Sequence, residues 1–345
     1  MLLRDIIRKG TETVSRKYPE REAREMVFVL LEHILGTKRH THIVEPEYGV
    51  EDTKVAEVEA GFERLASGEP LQYVTGTACF YGRDFHVSPA VLIPRPETEL
   101  LCRTALDIYE RRSGCKECGN GIFPPSRAVG KQPSGLLQRT ACGSRYSGRG
   151  PQRGRGPLEH FAFRPYRKIL DLCTGSGCIA WTMALECPGA EVTAADISDA
   201  ALETACNQNF ADEQKQSGAR TPVFIKADVL SGPEALNSHN IEDTFDLILS
   251  NPPYVMDKEK ALMRENVLDH EPHLALFVPD NDPLLFYRAV AAWAVKLLSP
   301  DGTGIVEINE ALGPETAQVF SEAGFSHTEV LKDLTERDRF VLFRR

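Results

Sequence analysis

The chain has 345 residues, 42% of them apolar, and a formal net charge of −10, enough for two domains, or one large domain with an appendage, around a sizeable core. No stretch approaches the run of about 18 apolar residues that a membrane span needs, and Met1-Leu2-Leu3-Arg4-Asp5 lacks the charged-then-apolar layout of an export signal. Nine cysteines, among them Cys79, Cys102, Cys173, Cys178, Cys187 and Cys206 in apolar segments, form an odd set without framework spacing, which predicts reduced thiols in a cytoplasmic protein.

Residues 1–68 read as a small helical domain. Ala23, Met26, Val27, Leu30, Leu31 and Ile34 fall on one helical stripe between Pro19 and Gly36, the expected start and stop signals. A third helix carries Val55, Val58, Phe62 and Leu65 on one face and stops near Gly68. Nothing here looks catalytic, so docking or recognition is the expectation. Residues 69–93 read as a hairpin-like linker. Tyr73-Val74-Thr75, Cys79-Phe80-Tyr81 and Phe85-His86-Val87 are β-prone pieces separated by Gly76 and Gly82. Residues 94–345 form the main domain, entered through Leu92-Ile93-Pro94-Arg95-Pro96-Glu97-Thr98-Glu99, with a helix from Glu97 to about Arg112. Pattern alone makes Arg95 and Glu97 an interdomain salt bridge or a helix cap.

Residues 113–166 interrupt that domain. They are rich in Gly, Pro, Ser and Arg, a composition that cannot offset its ordering entropy, so disorder is expected. Residues 111–166 hold 11 Lys/Arg against 2 Asp/Glu, a local +9, which leaves 29 basic and 48 acidic residues elsewhere, or −19. The body is thus a poor generic polyanion binder, whereas this segment could touch nucleic acid. Cys115, Cys118, Cys142 and His160 do not complete a zinc pattern, so no metal is expected. From Arg167 onward, strands read over 168–173, 191–197, 222–228, 245–251, 303–309, 327–332 and 339–343, with helices between the first five. That alternation predicts an α/β fold with a mostly parallel, doubly wound sheet.

The chemistry gathers at strand ends, where open α/β sheets bind ligands. After Ile169-Leu170-Asp171-Leu172 comes Cys173-Thr174-Gly175-Ser176-Gly177, whose glycines let a ligand approach the backbone. It lacks the Gly-x-Gly-x-x-Gly of a dinucleotide site. The acidic lead of Asp171 suits a cationic ligand with an amino group and a sulfonium, S-adenosylmethionine, although a Gly-rich packing turn reads equally well in isolation. Asp196 ends the second strand, placed for ribose hydroxyls. Asp228-Val229 ends the third, suited to an adenine amino group and ring face. Any one such Asp is more often a turn or cap, but three of them precede Asn251-Pro252-Pro253-Tyr254 on the fourth strand. Its acceptors and ring suit a planar amide or amino group.

Ile-Leu-Asp-Leu-x-Thr-Gly-Ser-Gly followed by Ser-Asn-Pro-Pro-Tyr resembles a class I methyltransferase acting on a planar nitrogen. Gly68-Glu69-Pro70-Leu71-Gln72-Tyr73, the 92–99 segment and Leu334-Thr335-Glu336-Arg337-Asp338-Arg339-Phe340-Val341 resemble, more narrowly, the HemK/PrmC family of peptide chain release factor glutamine methyltransferases. The resemblance covers residues 1–112 and 166–345. It implies a class I, Rossmann-like methyltransferase domain with a seven-stranded, mostly parallel sheet, plus an N-terminal helical domain that helps recognise a class I release factor. It also implies methyl transfer from S-adenosylmethionine to the side-chain amide nitrogen of a glutamine in a Gly-Gly-Gln tip. Asp171, Cys173, Thr174, Gly175, Ser176, Gly177, Asp196, Asp228, Val229 and Asn251 would hold the cofactor, and Asn251, Pro252, Pro253 and Tyr254 the glutamine; no membrane or specific nucleic acid is implied as partner. Cys173 stands where the family usually has Gly, Val229 where it often has a larger residue, and the basic insertion lies outside the family pattern. The rival readings are an adenine methyltransferase acting on nucleic acid and a non-catalytic binding protein of the same fold.

Overall fold

The computed structural model describes residues 1–113, 166–239 and 244–345; the disorder expected over the basic segment, and Cys115, Cys118, Cys142 and His160, lie outside the described residues. Two compact units emerge, the first comprising Met1–Thr77 together with Arg264–His270. It holds α1 (Leu3–Val14), α2 (Glu20–Leu35), α3 (Thr41–Val44), α4 (Asp52–Ala66) and α5 (Leu71–Thr75). Ala23, Met26, Val27, Leu30 and Leu31 of the α2 stripe are buried with Val55, Val58, Phe62 and Leu65 of α4, and Ile34 packs at the edge of that core. Gly36 caps α2 in the left-handed region at φ 67°, its N–H donating to the Glu32 carbonyl.

The β-prone Tyr73-Val74-Thr75 is helical, a correction to the sequence reading. Pro70 precedes α5 and left-handed Gly76 follows it, while Leu71 and Val74 pack on the helical core. Local stop signals and packing override the β preference of three residues. The hairpin is built from the next two pieces, β1 (Thr77–Phe80) and β2 (Arg83–His86). Tyr81 and Gly82 between them both have positive φ, 51° and 76°, as a two-residue type I′ turn requires.

The second unit continues with α6 (Pro96–Ser113), β3 (Lys168–Leu172), α7 (Cys178–Glu186), β4 (Glu191–Asp196), α8 (Asp199–Cys206), α9 (Ala211–Ser217) and β5 (Val223–Lys226). Next come β6 (Phe245–Ser250), the short β7 (Val255–Met256), α10 (Glu265–His270, grouped with the first unit) and β8 (Phe277–Val278). The chain ends with α11 (Leu285–Leu297), β9 (Leu298–Glu307), α12 (Gly313–Glu322), β10 (His327–Lys332) and β11 (Asp338–Arg344). Seven strands form one sheet in the order β10-β11-β9-β6-β3-β4-β5. The four pairings from β9 to β5 are parallel, and the two involving β11 are antiparallel.

Side chains of β3 and β6 alternate between two cores. Ile169, Leu247 and Leu249 join the one containing α6 and α7 residues; Leu170, Leu172 and Ile248 join the one under α11 and α12. Burial on both faces explains why these strands read as continuous apolar runs. No helix among the described residues is long and apolar enough to cross a membrane.

Candidate active site

The strand order reverses between β3 and β6, and the loops leaving their carboxyl ends form the wall of a cleft open at its mouth. Cys173, Thr174, Gly175 and Ser176 after β3, Asp196 at the end of β4, Asp228 and Val229 after β5, and Asn251 and Pro253 after β6 all line it. Asp171, Gly177 and Pro252 do not, and Tyr254 lines instead a second cavity with Leu92, Arg95 and Asn251.

The loop after β3 is wound tightly. Cys173, Gly175 and Gly177 are all left-handed, at φ 61°, 56° and 78°. A Cβ on Gly177 would come within 3.0 Å of the Ala205 methyl and 3.2 Å of the Trp181 ring, whereas a Cβ on Gly175 would meet nothing within 4 Å among the described residues. Gly177 therefore serves close packing, and Gly175 leaves its backbone open to a ligand. Cys173 adopts a conformation that costs a non-glycine residue about 1–2 kcal/mol, and burial pushes its thiol pKa up.

Asp171, expected from the sequence to face a ligand, is not among the residues that line the cleft. It is completely buried on β3, behind the loop, and accepts a hydrogen bond from the Thr174 hydroxyl at 2.5 Å. Its Oδ1 makes no hydrogen bond of normal geometry among the described residues, the Ala180 N–H being its looser neighbour. Burial pushes its pKa up to about 7, against the opposing pull of the Thr174 hydroxyl and the Ala180 N–H. Asp171 thus shapes the loop from beneath.

Asp196 Oδ2 accepts the Gly175 N–H at 2.8 Å and Oδ1 the Ser198 N–H at 2.9 Å, so the acid at the end of β4 fixes the loop while each oxygen keeps a further lone pair. Burial raises its pKa. Asp228 accepts the Leu230 N–H and the Ser231 hydroxyl, both at 2.9 Å, and so caps the short turn it begins. The Val229 carbonyl accepts the indole N–H of buried Trp293 at 2.9 Å, which sets the floor of this wall. Half-exposed Ile197 and Leu230 add apolar surface that the sequence reading did not single out.

Arg95 is the only Lys or Arg lining the cleft among the described residues, and it is neutralised by buried Glu271 at 2.6 Å. The Ile93 N–H also donates to Glu271, at 3.3 Å. Both partners belong to the second unit, so the expected interdomain bridge is an internal clamp; Glu97 is exposed. A cleft with carboxylates at Asp196 and Asp228, one compensated cation, an open glycine backbone and apolar walls fits a cationic nucleoside better than a polyphosphate.

Asn251 stands where the cleft and the second cavity meet. Its Nδ2 donates to the Thr98 hydroxyl at 3.2 Å, and Thr98 donates to Glu307 Oε2 at 2.7 Å. The Tyr254 hydroxyl donates to Glu307 Oε1 at 3.0 Å. Burial raises the Glu307 pKa, while Thr98, Tyr254 and Arg339 pull it back. Burial and the neighbouring Glu307 keep the Tyr254 phenol protonated well beyond its ordinary range. Neither Thr98 nor Glu307 was legible as part of a site, since each alone reads as an ordinary polar residue on a helix or at a strand end.

Comparison with known proteins adds two family matches: the PrmC N-terminal domain over residues 5–76 and the methyltransferase small domain over residues 157–274. A release factor glutamine methyltransferase of Flavobacterium psychrophilum is 30% identical over 341 residues, 99% of this chain and 98% of the relative. Its counterpart in Bacteroides thetaiotaomicron is 33% identical over 95% of both chains. That of Chlorobaculum tepidum is 32% identical over 92% of this chain and 89% of the relative.

Proposed function

Since the chain belongs to the release factor glutamine methyltransferases, matching relatives almost end to end at 30% and 33% identity, we propose that Asn251 presents a release-factor glutamine to S-adenosylmethionine held in the cleft. The acceptor is the side-chain amide nitrogen of the glutamine in the Gly-Gly-Gln tip of a class I factor. The observation that carries this reading is the place of Asn251, a wall residue of both the large cleft and the second cavity. A cofactor in one and an amide in the other would meet at that side chain.

The loop from Cys173 to Ser176 and the carboxylates of Asp196 and Asp228 would hold S-adenosylmethionine, with Val229 against its base. When bound, it supplies an electrophilic methyl group on a sulfonium. The residues of the chain must then overcome the poor nucleophilicity of an amide nitrogen, whose lone pair is delocalised into its carbonyl. Because Thr98 donates to Glu307, it can only accept from Asn251. That fixes Nδ2 inward and leaves Oδ1 as an acceptor for a substrate N–H. The Pro252 carbonyl, which has no partner among the described residues, is the second acceptor in this reading. Positive charge grows on the nitrogen as the methyl transfers, so both acceptors bind the transition state more tightly than the ground state. Tyr254 and the walls of the second cavity orient the amide plane. The N–C bond would form as the S–CH₃ bond of the sulfonium breaks to leave a thioether, and the N–H proton, made acidic by the charge on nitrogen, would leave to solvent, so no strong general base is needed.

Mass spectrometry of a release factor's Gly-Gly-Gln peptide, after incubation with this protein and S-adenosylmethionine, tests the reading. A 14 Da gain (the mass of one CH₂, roughly) confined to the glutamine side chain is expected from exchanging an N–H for an N–CH₃. An unmodified peptide beside methylated nucleic acid would overturn it in favour of the adenine enzyme.

A further inference from the structure

Glu307 and Thr98 are both buried, on β9 and on the first turn of α6. Their side-chain hydrogen bonds run to each other, to Asn251 and to Tyr254, and Thr98 also lines the cleft. Two donors, the Thr98 and Tyr254 hydroxyls, converge on separate oxygens of a single carboxylate. An ionised carboxylate is acceptor-only, so both donor directions are dictated by Glu307. With its proton committed to Glu307, the Thr98 oxygen offers only lone pairs to Asn251, and the amide cannot turn over without placing Oδ1 against an oxygen.

We propose that Glu307 and Thr98 are positioning residues that set the orientation of the Asn251 amide, and through Tyr254 the facing wall of the acceptor cavity, so that Oδ1 meets the substrate N–H. This rests on the reading above of Asn251 as the amide's acceptor. The pair acts through the orientation of two other side chains and touches no reacting atom. Without it, Asn251 samples both amide orientations, and one of them points N–H groups at the N–H groups of the substrate. The geometry further accounts for a buried carboxylate in a position with no cation at hydrogen-bond distance among the described residues: its partners are two donors whose direction matters.

The test is steady-state kinetics on release factor with Thr98→Val, Thr98→Ser and Glu307→Gln, alongside calorimetry of S-adenosylmethionine binding. Val keeps the shape of Thr98 and removes the hydroxyl; kcat should fall by about tenfold or more, with KM for the release factor changed by less than about threefold. Ser restores the hydroxyl and should return kcat to within about threefold of the wild type. Gln at 307 has one oxygen for two donors, so kcat should fall by about fivefold or more. All three variants should bind S-adenosylmethionine within about twofold of the wild type, which separates orientation from general damage to the fold. Thr98→Val with an unchanged kcat, or Thr98→Ser as impaired as Thr98→Val, overturns the proposal while leaving the function intact. A wild-type protein that turns over no release factor overturns both.

Discussion

The place of Asn251 on the cleft wall was legible from the sequence because two prolines end its strand abruptly and leave an amide at the carboxyl end of the sheet; its hydrogen-bonded neighbours Thr98 and Glu307 were not. Thr98 and Glu307 lie 153 and 56 positions away from it in the chain, and no local pattern links an acid in β9 to a hydroxyl in α6. Asn251→Ala should abolish methylation, by about a hundredfold or more if one transition-state acceptor is lost from a water-poor site. Calorimetric affinity for S-adenosylmethionine should stay within about threefold; normal turnover by the purified variant would sink the assignment. Asp171 gives a pH prediction. Its pKa in the folded protein is about 7, against an ordinary 3.8, so between those values the folded state keeps a proton that the unfolded chain has released. The contribution of Asp171 to stability therefore falls as pH rises from about 4 to about 7, by on the order of 4 kcal/mol if the whole shift is expressed, and levels off above. Asp171→Asn, which has no charge to bury, should lack that slope. Parallel melting curves for the two cofactor-free proteins at pH 5 and pH 8 would contradict this. Cys173 supplies a third case: Cys173→Gly relieves left-handed strain but adds unfolded-state entropy, so its net effect should be within about 1 kcal/mol. Cys173→Val, β-branched at φ 61°, should cost about 2 kcal/mol or more in a denaturant titration.

At the scale of elements, the central strands β3 and β6 were the most legible feature, because burial on both faces writes them as largely apolar runs. The α2 and α4 stripes were legible for the complementary reason, that one face alone is buried. The segment Tyr73-Val74-Thr75 misled because its fate depends on what it packs against, information carried by the residues of a different helix. Gly304 in β9 shows the same limit. Nothing in its neighbourhood along the chain marks it as special, yet a Cβ there would lie 1.9 Å from the Phe343 ring. That ring stacks on Phe320 at 4.0 Å and lies 4.8 Å from Phe325, so it has no room to retreat. Gly304→Ala should destabilise the protein by about 1–3 kcal/mol, as overpacking of a dense core does. The double variant Gly304→Ala, Phe343→Leu should recover part of that loss, and strict additivity of the two in denaturant midpoints would show that the clash is not the cause.

For the molecule as a whole, the uneven charge is the feature with the widest consequence. With the strongly basic segment set aside, the remaining chain is acidic, and the cleft it encloses presents Asp196 and Asp228 beside one neutralised Arg95. Such a body favours a cationic cofactor and offers little to a nucleic-acid backbone. On either side of the basic segment, the chain is back at one place: the Tyr109 ring near the end of α6 lies 5.6 Å from the ring of Tyr166, just before β3. Both residues belong to or pack on the core beneath α6. The two ends are therefore near enough for a short linker to join, and closing a shorter loop costs less entropy than closing a longer one. Replacing residues 114–165 with a Gly/Ser linker of about ten residues, long enough to turn between neighbouring chain ends, should leave the fold, S-adenosylmethionine affinity and release-factor methylation within about threefold of the full chain. If methylation of release factor collapsed while cofactor binding stayed intact, the basic segment would belong to substrate recognition, and the acidic body could no longer be taken as the whole of the enzyme.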